Sequence, residues 1–229
     1  RVIGSTIKII SLETSSKKQV IDSELFDRQI LAFGELGQAL ISSTKVGIVG
    51  VGGTGSSTAE QLIRLGVQDI VLIDKDHFEK PNLTRVYGTF ASDVPRRLLK
   101  QILLPYKVNL VARHLKRINP KAIVRAVPKN VVMRDTTSLL FDRDIIFLCT
   151  DNHWSRSIVN ELAYQYFIPT INMGMRIDAP DRVITGASGV VDVLRPDLPC
   201  LWCRGSVSAE RITAESIPAE ERGRLIREG

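Results

Sequence analysis

Val46-Gly-Ile-Val-Gly50-Val-Gly52-Gly53-Thr-Gly55 is the stretch on which the fold of this chain turns. Val46 to Gly50 is a short unbroken apolar run, the pattern of a strand buried on both faces. Gly50, Gly52 and Gly55 complete G-x-G-x-x-G, with Gly53 adding a further glycine, and Ser57 to Leu65 then reads as a helix closed by Gly66. Glycine permits the tight turn and lets phosphate oxygens approach backbone N–H groups. The helix N-terminus behind it adds about half a positive charge. Asp74 lies nineteen residues after Gly55, at the end of a second apolar strand (Ile70 to Ile73), where a carboxylate can accept ribose hydroxyls. This setting predicts a bound nucleotide; a glycine-rich turn without a ligand is the bland alternative.

Outward from that turn, strands alternate with helices. Ala122 to Val127 and Ile145 to Cys149 are a third and fourth strand, and Pro169 to Asn172 is the approach to a fifth. Helices are expected at Leu98 to Ile118, where Pro105 must start, kink or divide it, and at Ser155 to Tyr166. The pattern predicts an α/β fold, a doubly wound, mostly parallel sheet of Rossmann type with its core over about residues 45–172. Upstream, residues 1–21 read as a connector or the end of another domain. The domain proper then spans 22–229, and Leu25, Phe26, Ile30, Leu31, Leu36, Leu40 and Ile41 mark a first helix interrupted by Gly34 and Gly37. Downstream, residues 181–229 form an extension: β-branched Val183 to Val193 suggests an antiparallel strand or hairpin. Ala209 to Glu228 is charged, with helical propensity but few anchors, which predicts a mobile segment.

The 229 residues, 44% hydrophobic and 24% charged, exclude general disorder, and no apolar stretch is long enough for a membrane span. Three cysteines argue against a disulfide scaffold and fit a reducing compartment; with no leader-like start, a cytoplasmic location is expected. The opening without methionine and the abrupt stop at Gly229 suggest an excised fragment. A net charge of +6 allows an anionic ligand, an acidic protein or RNA, and selects none of them.

A dehydrogenase using NAD would share everything up to Asp74. The residues beyond it separate the two: Asp74-Lys-Asp76 leads into Pro81-Asn82-Leu-Thr-Arg85, placing carboxylates, an amide and a guanidinium near one strand end. Lys107 on the next helix could approach the same place, and Asp151-Asn152 after the fourth strand could hold magnesium. A triphosphate needs that much charge compensation; a nicotinamide cofactor does not. Simpler readings stand beside these. Asp76 could cap a turn, Lys107 could be a solvated lysine, and Arg28 could pair with Glu24 or Asp27. His77, His114 and His153 are scattered and read as non-ligands, and Trp154 and Trp202 as packing residues.

With Asp27-Arg28-Gln29-Ile30, Arg117-Ile-Asn-Pro120, Cys149-Thr-Asp151-Asn152 and Cys200-x-x-Cys203 in the same order, the chain from about Phe26 to Cys203 resembles the ThiF/MoeB/HesA adenylyltransferases, relatives of ubiquitin-activating enzymes. The resemblance implies ATP and Mg2+ as cofactors. The substrate would be the C-terminal glycine carboxylate of a ubiquitin-like or sulfur-carrier protein, converted to an acyl-adenylate with loss of pyrophosphate. It further implies that Asp74 holds the ribose, that Gly52 and Gly53 pass close to the nucleotide, and that Asn82, Arg85 and Lys107 steady the phosphates. Asp151 would bind magnesium, and Arg28 would reach the ATP of the partner in a homodimer.

Cys200 and Cys203 have zinc-site spacing, but structural zinc takes four ligands, so this pair is half a site. In the family a second C-x-x-C lies further on, which makes zinc an expectation for a longer chain; a redox pair or two plain thiols are the alternatives. Some relatives transfer the carrier to a later cysteine. None follows Cys203 here, and Cys149 reads as apolar packing. The basic cluster Arg96, Arg97 and Lys100 could meet a partner, though a solvated face is simpler. Activation of a tRNA-bound or small-molecule carboxylate, or service as the silent half of a heterodimer, remain the competing functions.

Overall fold

The computed structural model describes residues 22–94, 104–180 and 183–217. The cluster Arg96, Arg97 and Lys100 lies outside the described residues, as do 1–21, most of the expected helix before Pro105, and the end of the charged C-terminal stretch.

Among the described residues six strands form one sheet in the order β3-β2-β1-β4-β5-β6. β1 (Lys45–Val49), β2 (Asp69–Ile73), β3 (Ile123–Val127), β4 (Ile145–Leu148) and β5 (Thr170–Asp178) are mutually parallel. β6 (Gly186–Leu194) runs antiparallel to β5. The expected doubly wound sheet and its antiparallel extension are thus both present. The fifth strand runs six residues past Asn172, to Asp178, because β6 supplies a partner for all nine of its positions.

Strand alternation sends side chains to two separate cores. Val46, Ile48, Ile70 and Leu72 pack with Ala59 and Ile63 of α2 (Gly53–Leu65) and with Val108, Val111 and Leu115 of α3 (Lys107–Ile118). Val49, Val71, Ile73, Ile146 and Leu148 face the other way, onto Leu140 and onto Val159 and Leu162 of α5 (His153–Gln165). Burial of both faces explains why these strands read as continuous apolar runs. The chain leaves β1 towards β2 on one side and reaches β4 on the other, so β1 and β4 flank the topological switch point, where ligands of such sheets bind.

Several expectations need correction. α1 (Asp27–Ser43) is kinked at Gly34, whose φ is 73°, but Gly37 sits within the helix and breaks nothing. Its Leu31, Leu36 and Leu40, and Leu25 just before it, are exposed, because no described element covers that side. Before β4 the chain also makes a short helix, α4 (Arg134–Thr137), that the sequence pattern did not reveal. Trp202, expected as a packing residue, is 40% exposed. Finally, part of the charged stretch is docked rather than mobile: α6 (Ala209–Ser216) is held to α5 by Glu215.

Candidate active site

The glycine turn is built backbone against backbone. Gly50 has φ 88°, and a Cβ there would stand 2.7 Å from the Cys149 carbonyl oxygen. A Cβ on Gly55 would overlap the Gly50 carbonyl oxygen. Gly52, by contrast, has nothing within 4 Å of where its Cβ would be. Gly50 and Gly55 therefore shape the turn, while Gly52 leaves open space in front of it. α2 starts directly behind with no side-chain cap, so its first amides are available to an anion.

Asp74, at the end of β2, fixes the turn from the side. Its carboxylate accepts the Val51 N–H at 2.7 Å and the Asp76 N–H at 2.8 Å. Burial pushes its pKa up, against the pull of those two N–H groups and of Lys107. The carboxylate keeps further lone pairs for a ligand hydroxyl.

Lys107 is buried, at 7% exposure, as the first residue of α3. A cation at that end opposes the helix dipole, and Asp76 offsets the penalty. The Asp76 carboxylate accepts Lys107 Nζ at 2.8 Å, and its carbonyl accepts the Lys107 backbone N–H at 3.1 Å. Asp76 is therefore more than a turn cap, and Lys107 is not a solvated lysine. Arg85 is carried by the 3-10 turn Lys80–Thr84. Its backbone N–H reaches the Asn82 carbonyl, Tyr87 N–H donates to Ser56 Oγ in α2, and its Cβ lies 3.6 Å from the Cβ position of Gly53.

These groups line a cavity of about 480 Å³ at the carboxyl ends of β1, β2, β4 and β5. Gly50, Gly52, Gly53, Asp74, Asp76, Arg85, Lys107, Asp151 and Asn152 all line it. Five cationic residues, with Lys75, Lys129 and Arg156 added to Arg85 and Lys107, line it with three acidic ones, and Lys129 is paired with Asp135 outside the lining. The cavity suits a polyanion.

Other expected site residues lie elsewhere. Asn82 is buried outside the lining, and its side-chain oxygen accepts the Glu79 N–H at 2.9 Å. It braces the loop that carries Arg85. Asn152 lines the cavity, but its side-chain oxygen caps α5 by accepting the Ser155 N–H at 2.7 Å. Arg28 sits on α1 with its side chain 93% exposed and Asp27 3.9 Å away, and is not part of the lining. Gly55 lies beneath the turn.

Cys200 and Cys203 form a turn apart from this cavity, with sulfurs 3.5 Å apart. Leu201 N–H donates to Asn160 Oδ1 there, and Arg204 pairs with Asp192 at 2.8 Å. No group of three metal-ligating residues exists among the described residues, so the pair cannot by itself hold zinc. Cys149 is pushed up to about 12 by burial, the state of a packing residue and not of a nucleophile.

Residues 26–223 match the ThiF family. The chain belongs to it. It is 28% identical over 171 residues to the sulfur carrier protein ThiS adenylyltransferase of Bacillus subtilis, covering 74% of this chain and 46% of that protein. Ubiquitin-like modifier-activating enzyme 5 of Aedes aegypti is 28% identical over 224 residues, covering 88% and 51%. The chain thus spans about half the length of these curated relatives. E. coli MccB, solved with AMPCPP and MccA, shares the fold with a TM-score of 0.60 at 21% identity, covering 85% of this chain and 54% of that one. E. coli TcdA, a tRNA N6-threonylcarbamoyladenosine dehydratase, shares it with a TM-score of 0.58 at 20% identity, covering 69% and 67%. Among the described residues no helix is long and apolar enough to cross a membrane.

The sequence pattern did not point to Arg156, Lys129 or the β5 residues Met173 and Gly174, all of which line the cavity. Arg156 carried a usable signal. It lies one helical turn into α5 from Asn152, and helical side chains lean back toward the N-terminus, which here faces the site.

Proposed function

We propose that this chain is the adenylation domain of an ATP-dependent adenylyltransferase. Its substrate is the C-terminal carboxylate of a ubiquitin-like or sulfur-carrier protein. The observation that carries the reading is the cationic pair Lys107 and Arg85 beside an uncapped helix N-terminus and a buried Asp74. The names of the ThiF-family relatives support the same chemistry.

A carboxylate is ionised at neutral pH and needs no general base, so the site's work is positioning and charge stabilisation. The glycine turn and the α2 amides bind phosphate oxygens, and Asp74 accepts ribose hydroxyls. A substrate carboxylate oxygen bonds to the α-phosphorus while the bond to the β-phosphate oxygen breaks and pyrophosphate leaves with the electron pair. Lys107 and Arg85 offset the charge gathering on that leaving group. Magnesium fits the residues present, since such ions are commonly held by one or two carboxylates plus phosphates, and Asp151 is an exposed carboxylate on the lining. When bound, the ion neutralises phosphate charge. Arg28 and the exposed leucines Leu31, Leu36 and Leu40 share α1, which fits a homodimer in which a second copy covers that helix and receives Arg28 near its own cavity.

The test is ATP–pyrophosphate exchange by the full-length protein with its cognate carrier and magnesium. Arg85→Ala and Lys107→Met are each expected to lower exchange by about 100-fold to 1,000-fold, the scale for a lost transition-state charge contact. Absence of exchange from the folded wild type, or wild-type rates in Arg85→Ala, would refute the assignment.

A further inference from the structure

The sheet sets two strand–helix junctions side by side, β1 to α2 and β4 to α5, and each starts a helix at the carboxyl end of its strand. A helix N-terminus carries about half a positive charge and unpaired amides, so each of the two attracts an anion. They are finished differently. α2 starts without a side-chain cap, behind the open space at Gly52. At α5, Asn152 Oδ1 accepts the Ser155 N–H at 2.7 Å. Glu215 Oε1 accepts the His153 N–H at 3.0 Å, and its Oε2 accepts the Trp154 N–H at 2.8 Å. The first three amides of α5 are thus all taken from within the chain.

Glu215 supplies more than the helix needs. One N-cap side chain ordinarily serves a helix, and Asn152 already provides it. The carboxylate arrives from 61 and 62 residues away, on α6, a helix that buries none of its own residues. Its surroundings are cationic. Arg156 lies one turn into α5 from Asn152, and Arg211 Nη1 stands 3.2 Å from His153 Nε2. Without Glu215, two guanidiniums and two uncovered amides would draw phosphate to this end of the helix. Glu215 fills the place with an anion of the chain's own.

We infer that Glu215 determines which way round a polyphosphate lies in the cavity, by sealing the α5 terminus and leaving the α2 terminus open. This rests on the nucleotide-binding reading above and deepens it. Cations line the cavity on both sides, Lys107 and Arg85 near α2 and Arg156 on α5. A triphosphate lodged at α5 would put its outer phosphates away from Lys107 and Arg85, where the charge of the leaving group has to be met. Specificity is a difference between two affinities, and a fixed like charge at the wrong terminus widens it. Glu215 touches no ligand in this scheme; it acts through the α5 amides.

The probe is inorganic pyrophosphate, titrated onto the 15N-labelled full-length protein loaded with magnesium and a β,γ-methylene ATP analogue. The His153 and Trp154 amide resonances report on the α5 terminus. In wild type they should not respond to pyrophosphate. In Glu215→Ala they should shift, with an affinity at least about tenfold above any wild-type response, the scale of regained charge-assisted hydrogen bonds. Glu215→Gln guards against loss of α6. Its oxygen still accepts one amide, and its NH2 group turns a donor toward the anion, so the second site should open there as well. The inference is overturned if neither variant gains a pyrophosphate response, even where both melt below wild type, because Glu215 is then a helix cap alone. It is equally overturned if the wild-type amides respond as strongly as those of the variants. Failure of wild type to bind the analogue would instead refute the nucleotide site on which the inference stands.

Discussion

Adding a single methyl group to the glycine turn should have opposite consequences at two positions three residues apart. At Gly55 the methyl would overlap the Gly50 carbonyl oxygen and stand 2.9 Å from its carbon and 3.3 Å from Cys149 Cβ. The obstacle is backbone, which cannot rotate away. The start of α2 would have to lift off β1, and overpacking of this kind destabilises by about 1–3 kcal/mol, with the upper end expected here. For a domain of this size each kcal/mol is worth about 2–4 °C, so Gly55→Ala should melt roughly 6–12 °C below wild type. At Gly52 the methyl meets no atom within 4 Å, and φ, at −81°, lies outside the left-handed region. Stability should stay within about 0.5 kcal/mol of wild type. The space it fills, however, is where phosphate oxygens approach the α2 amides, so ATP affinity should fall by about tenfold or more, as for a lost charge-assisted hydrogen bond. Thermal melts and ATP titration by calorimetry check both. Wild-type melting of Gly55→Ala, or wild-type ATP affinity in a folded Gly52→Ala, would refute the division of labour between turn-building and ligand-facing glycines.

Contacts away from the turn carry two more expected outcomes. Glu215→Ala removes the acceptor of two α5 amides, a loss of about 1–2 kcal/mol for a helix cap, and should speed hydrogen exchange at the His153 and Trp154 amides by about tenfold; unchanged protection would mean that α6 does not hold that terminus. Arg113 grips Asp93 with two hydrogen bonds of 2.7 Å and holds its carboxyl below the ordinary 3.8. The folded form therefore binds that proton less readily than the unfolded chain. The resulting stability is fully present above pH 3.8 and is lost as pH falls through the lower folded value. The melting gap between wild type and Asp93→Asn should be constant above that pH and narrow below it, and a gap that persists into acid would contradict the linkage.

The parallel sheet was legible because its strands are buried twice over, which leaves apolar runs such as Val46 to Gly50 that no amphipathic helix produces. The glycine turn and Asp74 were legible because they lie directly beyond the ends of β1 and β2, and Arg85 and Lys107 because they belong to the segment between β2 and β3 that returns to the same cavity. Asn82 and Asn152 show where that reasoning stops. Sequence proximity placed both near the site, but local capping hydrogen bonds claimed their side-chain oxygens, and the identity of a polar residue does not disclose its partner. The docking of α6 was hidden for a different reason. It depends on Glu215 meeting amides 61 and 62 residues away, and no local pattern encodes that encounter. The kink at Gly34 was foreseen and the continuity at Gly37 was not, since both glycines look alike until the backbone chooses a left-handed φ for one of them.

Arg85 and Arg156 belong to different layers: the first leans on α2 above one face of the sheet, the second grows from α5 beneath the other. Both nonetheless line the same cavity, so its bore depends on how each helical layer seats on the sheet. Because close-packed interiors transmit strain, a change of side-chain volume in either core reaches the cavity without touching any residue that lines it.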